Sequence, residues 1–171
     1  MLLAATSMLL ATAQYKIDEN KSTVKFKIKN FGINVNGSFS HLKGTVSLDP
    51  AHPEKNIFNV SIGAASINTG NELRDSHLNK KDYFDTEHYP EITFESIKVS
   101  GQEKGNTMNL VGKLTIKNHS KEIYFPFTAE KVGDGYLLKA VFSINRKDFD
   151  IGGASIIADN AEVALEVVVV K

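Results

Sequence analysis

Residues 68–96, NTGNELRDSHLNKKDYFDTEHYPEITFES, form a short polar segment between long runs of alternating apolar and polar residues. Residues 72–80 within this segment are the only stretch of the chain whose pattern is typical of a helix. Elsewhere the dominant period is two, which indicates strands with one apolar face and one solvated face. The segment is therefore predicted to be a helical insertion in a β protein.

The alternating pattern predicts about eight strands. In the first of them, Val24, Phe26 and Ile28 alternate with lysines. Seven more segments repeat the pattern, and they contain Val35 and Phe39; Val46 and Leu48; Val60 and Ile62; Leu110, Leu114 and Ile116; Ile123, Phe125 and Phe127; Leu138, Phe142 and Ile144; and Val163, Leu165, Val167 and Val169.

Turn-forming residues lie between these segments, among them Gly32, Asp49-Pro50 and Gly133-Asp134-Gly135. Such short links predict antiparallel neighbours. One helix cannot cover both faces of a large sheet, and closure removes the exposed edges of that sheet. The pattern thus favours an eight-stranded antiparallel β-barrel, with a two-sheet sandwich as the alternative.

Composition excludes several classes of function. The chain has 171 residues, with 20 Lys plus Arg and 20 Asp plus Glu, so its formal net charge is zero. A neutral chain is poorly suited to nucleic acid, and nucleic acid is not expected as a partner. Cysteine is absent. This excludes disulfides, thiolate metal sites and thiol catalysis.

Residues 1–13 carry no charge and end in Ala11-Thr12-Ala13, a small-x-small pattern typical of signal peptidase sites. We interpret them as a signal peptide, followed by one domain at residues 14–171 and a periplasmic or secreted location. The usual basic start is missing, which would fit a truncated leader; the alternative is a buried N-terminal helix. About a dozen apolar residues are too few to span a bilayer.

The central segment resembles the YceI-like lipid- and polyisoprenoid-binding family. The resemblance lies in Thr69, in the run Arg74-Asp75-Ser76-His77-Leu78, in Asp82-Tyr83-Phe84-Asp85, and in the strand that begins at Tyr89-Pro90. It extends to Tyr15-Lys16-Ile17-Asp18, Gly112-Lys113-Leu114-Thr115-Ile116 and Arg146-Lys147-Asp148-Phe149. Tyr15 stands where the family usually has tryptophan, and Asp150 stands where the family usually has glycine after the phenylalanine.

The resemblance implies an elongated, lipocalin-like barrel that encloses a long apolar ligand, a polyisoprenoid or a fatty-acyl chain, with no other cofactor. We expect the small residues Gly37, Ala64, Gly112 and Ala140 to leave a channel inside it. The predicted lipid-lining residues are Phe26, Ile28, Phe39, Ile62, Leu110, Gly112, Leu114, Phe125, Phe127, Leu138, Ala140 and Phe142. The alternative is a filled barrel that acts as a structural or protein-interaction module.

Four polar residues, Arg74, Asp75, His77 and Asp82, fall in the helical insertion and the loop after it. They either contact the polar end of a ligand or tie the loop, with Arg74 pairing with Asp75 and Asp82 capping backbone N–H groups. A zinc site built from His77, Asp82 and His88 matches no ligand spacing, so no metal is expected.

No hydrolase, metalloprotease or phosphate-binding motif is present, and the chain is predicted to bind its ligand without chemistry. An isoprenoid-modifying or metal-assisted enzyme is a less favoured alternative. Transient membrane contact and a monomer or homodimer are compatible with the sequence. Arg146 and Asp148 are expected to pair and to anchor the loop that contains Ile151-Gly152-Gly153.

Overall fold

The computed structural model describes residues 12–101 and 105–171, which contain ten strands, one α-helix and four short 3-10 helices. The predicted signal peptide lies almost entirely outside these residues. Within them, Ala13 packs against the core, and its carbonyl accepts a hydrogen bond of 3.1 Å from the N–H of Leu48.

The strands follow one another through mostly short turns. They are β1 (Gln14–Ile17), β2 (Thr23–Asn30), β3 (Ile33–Phe39), β4 (Lys43–Ser47), β5 (Ile57–Gly63), β6 (Glu91–Gly101), β7 (Thr107–Ile116), β8 (His119–Val132), β9 (Gly135–Asn145) and β10 (Asn160–Val170). The helix α1 (Glu72–Leu78) lies between β5 and β6.

Eight of the strands close into a ring. Their order is β1, β4, β5, β6, β7, β8, β9 and β10, every pairing is antiparallel, and β10 pairs with β1 to complete the circle. The predicted eight-stranded antiparallel barrel is therefore confirmed. Closure leaves none of these eight strands as a free edge, which is the usual way in which such a sheet avoids edge-to-edge association.

The remaining two strands form a hairpin against the barrel. β2 pairs with β10 alongside β1, from Lys27 opposite Glu162 to Thr23 opposite Glu166, and β3 pairs with β2. The far end of β3 is tied to the segment before α1, because Ser38 and Asn68 exchange two backbone hydrogen bonds of 2.9 Å. The helical insertion is thereby held beside the hairpin.

The helix also matches its prediction closely, as residues 72–80 were expected and Glu72–Leu78 is helical. Asn71 caps it, since the Asn71 side chain accepts a 2.9 Å hydrogen bond from the N–H of Arg74. Within the described residues, no helix has both the length and the apolar character needed to cross a membrane.

Apolar side chains pack densely at both ends of the barrel. At one end, Leu48, Val99 and Val169 are at most 2% exposed. At the other end, Ala64 and Phe149 are each 1% exposed and belong to a second cluster. These two packed ends leave the middle of the barrel for the functional site.

Candidate functional site

An apolar cavity of about 280 Å³ lies inside the barrel between the two packed ends. Side chains from all ten strands and from the helical insertion form its wall. Eight phenylalanines contribute: Phe26, Phe39, Phe58, Phe84, Phe94, Phe125, Phe127 and Phe142. A cavity of this size and composition suits an apolar ligand, because ligand sites are mostly apolar with a few placed polar groups.

Most of the predicted lining residues lie on this wall. They are Phe26, Ile28, Phe39, Ile62, Leu110, Leu114, Phe125, Phe127, Leu138, Ala140 and Phe142. The period-two alternation brings them together because every second side chain of a barrel strand points inward. Their contact with a lipid stays a prediction.

Gly112 is not on the cavity wall, contrary to the sequence-based expectation. The ring of Phe94 covers it, and a Cβ at this position would overlap that ring and approach the carbonyl oxygen of Glu95 to 2.8 Å. Gly37 is covered in the same way by the ring of Phe26. The two glycines therefore make room for aromatic rings rather than for a channel. Ala64 lies in the packed end of the barrel instead.

Aromatic contacts arrange the wall. The rings of Phe125 and Phe142 stack with centroids 4.3 Å apart, and Phe94 lies 5.8 Å from Phe125. Phe84, from the loop after α1, meets Phe39 edge to face at 5.6 Å. Because Phe84 belongs to the insertion and Phe39 to β3, this contact packs the insertion onto the hairpin.

Arg74 lies on the cavity wall, and Thr69 beside it connects it to Asp75. Arg74 Nε donates to Thr69 Oγ1 at 2.7 Å, Arg74 Nη2 donates to the Thr69 carbonyl at 3.0 Å, and Thr69 Oγ1 donates to Asp75 Oδ1 at 2.5 Å. The expected direct pair of Arg74 and Asp75 is absent in the described residues, because the threonine hydroxyl bridges the two groups.

The Arg74 guanidinium has no carboxylate oxygen within 4.0 Å in the described part of the chain. Its two hydrogen bonds leave other N–H donors of the fork without a protein acceptor there. It is thus a cation beside a space whose wall is mostly apolar. Such a group is suited to a ligand's acidic or polar end.

His77 and Asp82 do not reach the cavity. Both side chains are exposed, and Asp82 lines a separate polar cleft of about 590 Å³ with Lys117 and Asp150. The Asp82 carbonyl accepts a 2.7 Å bond from the N–H of Gly152, so its backbone joins the insertion to the loop before β10. Residues 12–101 and 105–171 contain no group of three or more side chains placed to hold a metal ion.

His88 pairs with Asp85 rather than with His77 or Asp82. Its Nδ1 lies 2.8 Å from Asp85 Oδ1. The pKa of His88 is raised above 6.5. The larger cause is this hydrogen bond, and the second is the electrostatic attraction of the same carboxylate. Asp85 adopts a positive φ of 47° and also ties the loop after α1 through its backbone. The pair is therefore part of the loop's structure.

Arg146, which also lines the cavity, is a buried structural residue. It is 4% exposed and donates to the carbonyls of Ile151, Gly153, Ile157 and Ala158 at 2.6 to 3.0 Å. Its carboxylate partner is Asp159, at 3.5 Å, and the expected Asp148 instead lies 4.0 Å from Lys121. The anchoring role predicted for Arg146 is thus performed through carbonyls of the following loop.

Several cavity residues were not among the predicted ones. Val163 and Leu165 on β10 could have been included, because they alternate as clearly as the residues that were chosen. Asn30 and Ile157 gave no such signal, since a hairpin and a loop distant in sequence bring them together. Asn30 Oδ1 is buried without a hydrogen-bond partner in the described residues.

The sequence profile of the YceI-like domain matches residues 15–169, which is nearly the whole described barrel. The chain belongs to the YceI-like family. A UPF0312 protein of Photorhabdus laumondii is 35% identical to it over 136 residues, which are 79% of this chain and 69% of the relative. The YceI-like barrel thus has a bacterial relative along most of its length.

Solved structures share the YceI-like barrel. BcnA of Burkholderia cenocepacia superposes with a TM-score of 0.83 at 29% identity, covering 89% of this chain and 98% of BcnA. A polyisoprenoid-binding domain from Saccharophagus degradans, implicated in plant cell wall breakdown, superposes with a TM-score of 0.74 over 91% of this chain and 97% of that domain. Its identity is 16%, so this second likeness concerns the fold alone.

Proposed function

We propose that this YceI-like barrel binds one long apolar lipid, of the polyisoprenoid or fatty-acyl type, in its central cavity without altering it chemically. The observation that carries the proposal is the apolar cavity of about 280 Å³ between two tightly packed ends. A filled barrel would have no such space. The fold shared with the polyisoprenoid-binding domain from Saccharophagus degradans supports the same ligand class.

The energetics suit a carrier or a reservoir. Burial of one methylene gains about 0.8 kcal/mol, so a long tail is strongly favoured over water. A bilayer offers the same tail a nearly equal gain, so transfer between membrane and cavity is close to balanced. Selectivity then depends on the length of the tail and on the few polar groups that meet the head group.

Arg74 is the side chain that we propose for the head group. It borders the cavity, it has no carboxylate partner in the described residues, and Thr69 fixes its orientation. A carboxylate or a phosphate would accept hydrogen bonds from the N–H groups of Arg74 that have no protein acceptor in the described residues. Asp75 supports this role indirectly. Its carboxylate accepts a hydrogen bond from the Thr69 hydroxyl, and that hydroxyl accepts a hydrogen bond from Arg74 Nε.

The proposed location is periplasmic or secreted, as the apolar leader pattern of residues 1–13 suggests. A lipid carrier there would move its ligand between membranes or hold it in reserve. The wall of the cavity is mostly apolar, and its two arginines donate hydrogen bonds to the protein.

Native mass spectrometry of the protein purified from its host tests this proposal. We expect a mass increment that corresponds to one lipid, which organic extraction releases for identification. The bare protein would then be offered a detergent-dispersed prenyl alcohol, a prenyl diphosphate and a fatty acid. Failure to bind any of these lipids, together with a bare native mass, would overturn the proposed function.

A further inference from the structure

The tip of the β2–β3 hairpin has a bulky residue at a position where two-residue turns usually have asparagine. Only Phe31 and Gly32 separate the paired residues Asn30 and Ile33, and both have positive φ, 51° and 76°. Two-residue turns of this kind favour Asn-Gly, because asparagine tolerates the left-handed conformation and bulky residues do not. Phenylalanine here is strained, and its ring is 74% exposed, so packing within the fold does not explain it.

The strained phenylalanine is one of three exposed apolar side chains on two linked loops. Ile33 is 70% exposed on the same hairpin, and Ile156 is 56% exposed on the loop before β10. Asn30 pairs with Ile157, and the N–H of Ala158 donates to the carbonyl of Lys29 at 2.8 Å. We call Phe31, Ile33 and Ile156 the apolar tip.

The apolar tip continues directly into the cavity wall. Ile28, Asn30 and Val35 of the hairpin line the cavity, as does Ile157 of the linked loop. Residues 30–36 and 151–158 contain no charged side chain, while Lys27 and Lys29 project from the outer face of β2. Entry of these loops into a bilayer surface would therefore bury no charge and would leave lysines at the level of the head groups.

The size of the apolar tip favours a membrane over a protein. Three side chains present about 500 Å² at most, judged from the area that a single aromatic residue buries. A stable protein interface needs about 800 Å² on each partner. A few inserted apolar side chains are enough for weak, reversible membrane binding, which is what a carrier that returns to water requires.

We propose that the apolar tip docks this protein on the surface of a lipid bilayer, so that the cavity exchanges its ligand with the membrane. This inference rests on the proposed lipid-binding function. Passage of a long tail through water would expose its apolar surface, and this cost makes the passage slow. The path of the tail must therefore connect the bilayer directly to the cavity wall. The hairpin provides that connection, since its tip is exposed and its base lines the cavity.

Vesicle flotation tests the proposal with the protein of residues 14–171, purified after export, and with vesicles of phosphatidylethanolamine and phosphatidylglycerol. The test variant is Phe31→Asn with Ile33→Thr, in which asparagine suits the positive φ of the turn. The control is Ile97→Thr with Val141→Thr, which removes two side chains that are 59% and 61% exposed and do not line the cavity. We expect the test variant to bind vesicles about tenfold more weakly or worse, and the control to bind like the wild type.

Three results would overturn the proposal: no vesicle binding by the wild type, equal binding by the test variant, or loss of binding in the control as well. Self-association that Phe31→Asn with Ile33→Thr abolishes in sedimentation would instead assign the apolar tip to a second copy. Loading from detergent micelles separates this inference from the proposed function. Both variants should load a prenyl lipid normally, whereas failure of the wild type to load would refute lipid binding itself.

Discussion

The ring of Phe94 on β6 lies directly over Gly112 on β7 and occupies the space that a side chain at position 112 would need. This relationship explains why a strand interior tolerates a glycine here. The ring covers the exposed backbone of the neighbouring strand and packs against Phe125 at 5.8 Å. Such cover of a glycine by an aromatic ring across two strands also fixes the register of the pair.

Gly112→Ala should destabilise the barrel by about 1–3 kcal/mol, because the added methyl group overlaps the Phe94 ring and the backbone of Glu95. Urea unfolding would measure the change. Gly63→Ala is the control, since a Cβ there would meet His41 at an ordinary 3.6 Å. That variant should stay within about 1 kcal/mol of the wild type. Equal stability of both variants would contradict the role of Gly112.

Arg146→Ala should cost about 3–5 kcal/mol, because it removes the donor of four hydrogen bonds to loop carbonyls, of which the bond to Ile151 is buried and the other three are partly buried. Lys147→Ala is the matched control. Lys147 also reaches Asp159, at 2.9 Å, but its side chain is 53% exposed, so its loss should cost less than about 1 kcal/mol. Comparable midpoints for the two variants in urea would show that the carbonyl contacts do not stabilise the loop.

Arg74→Gln should lower the affinity for a prenyl diphosphate about tenfold or more and leave the affinity for the prenyl alcohol of equal length nearly unchanged. The expected reason is the loss of a charged donor at the cavity wall. Titration of both lipids in detergent would measure the two affinities, with Lys81→Gln as an exposed control on the same segment. A large fall in thermal stability, or equal losses for both lipids, would indicate that Arg74 only ties Thr69.

The pKa of His88 should lie above 6.5, because Asp85 stabilises the imidazolium through a 2.8 Å contact. A pKa raised by folding contributes stability that is fully present below the unfolded value and is lost as the pH rises through the folded value. NMR titration of the ring would report the pKa. Asp85→Asn keeps a residue that tolerates the positive φ of 47° and should return the pKa toward 6.5. An unchanged pKa in this variant would contradict the assigned cause.

The barrel and its helical insertion were predictable because apolar and polar residues alternate along most of the sequence and one polar segment interrupts that alternation. Alternation of apolar residues marks inward positions on β2, β7, β8 and β9, and the single polar interruption marks α1. The resemblance to a known family supplied the ligand class. Strand β1 has only four residues, Gln14–Ile17, and so short an alternation does not indicate that the strand pairs with both β4 and β10 and closes the barrel.

The details of the site were less predictable, because they depend on contacts between distant residues. Gly112 was expected to open a channel, but the ring that covers it comes from another strand. Arg146 was expected to pair with nearby Asp148, but the loop folds back and offers four carbonyls. Arg74 and Asp75 were expected to pair directly, yet a threonine hydroxyl lies between them. Sequence pattern gives the face of a side chain and not its partner.

Tryptophan quenching across the barrel wall tests the central claim most directly. The chain has no tryptophan, and β9 offers adjacent positions with opposite directions: Phe142 lines the cavity and Val141 is 61% exposed. Phe142→Trp and Val141→Trp would each be titrated with a fatty acid that carries a nitroxide quencher on its tail. If the lipid enters the cavity, quenching of Phe142→Trp should saturate at one lipid per protein while Val141→Trp stays bright. Equal quenching of both, or none at Phe142→Trp, would contradict a lipid inside the barrel.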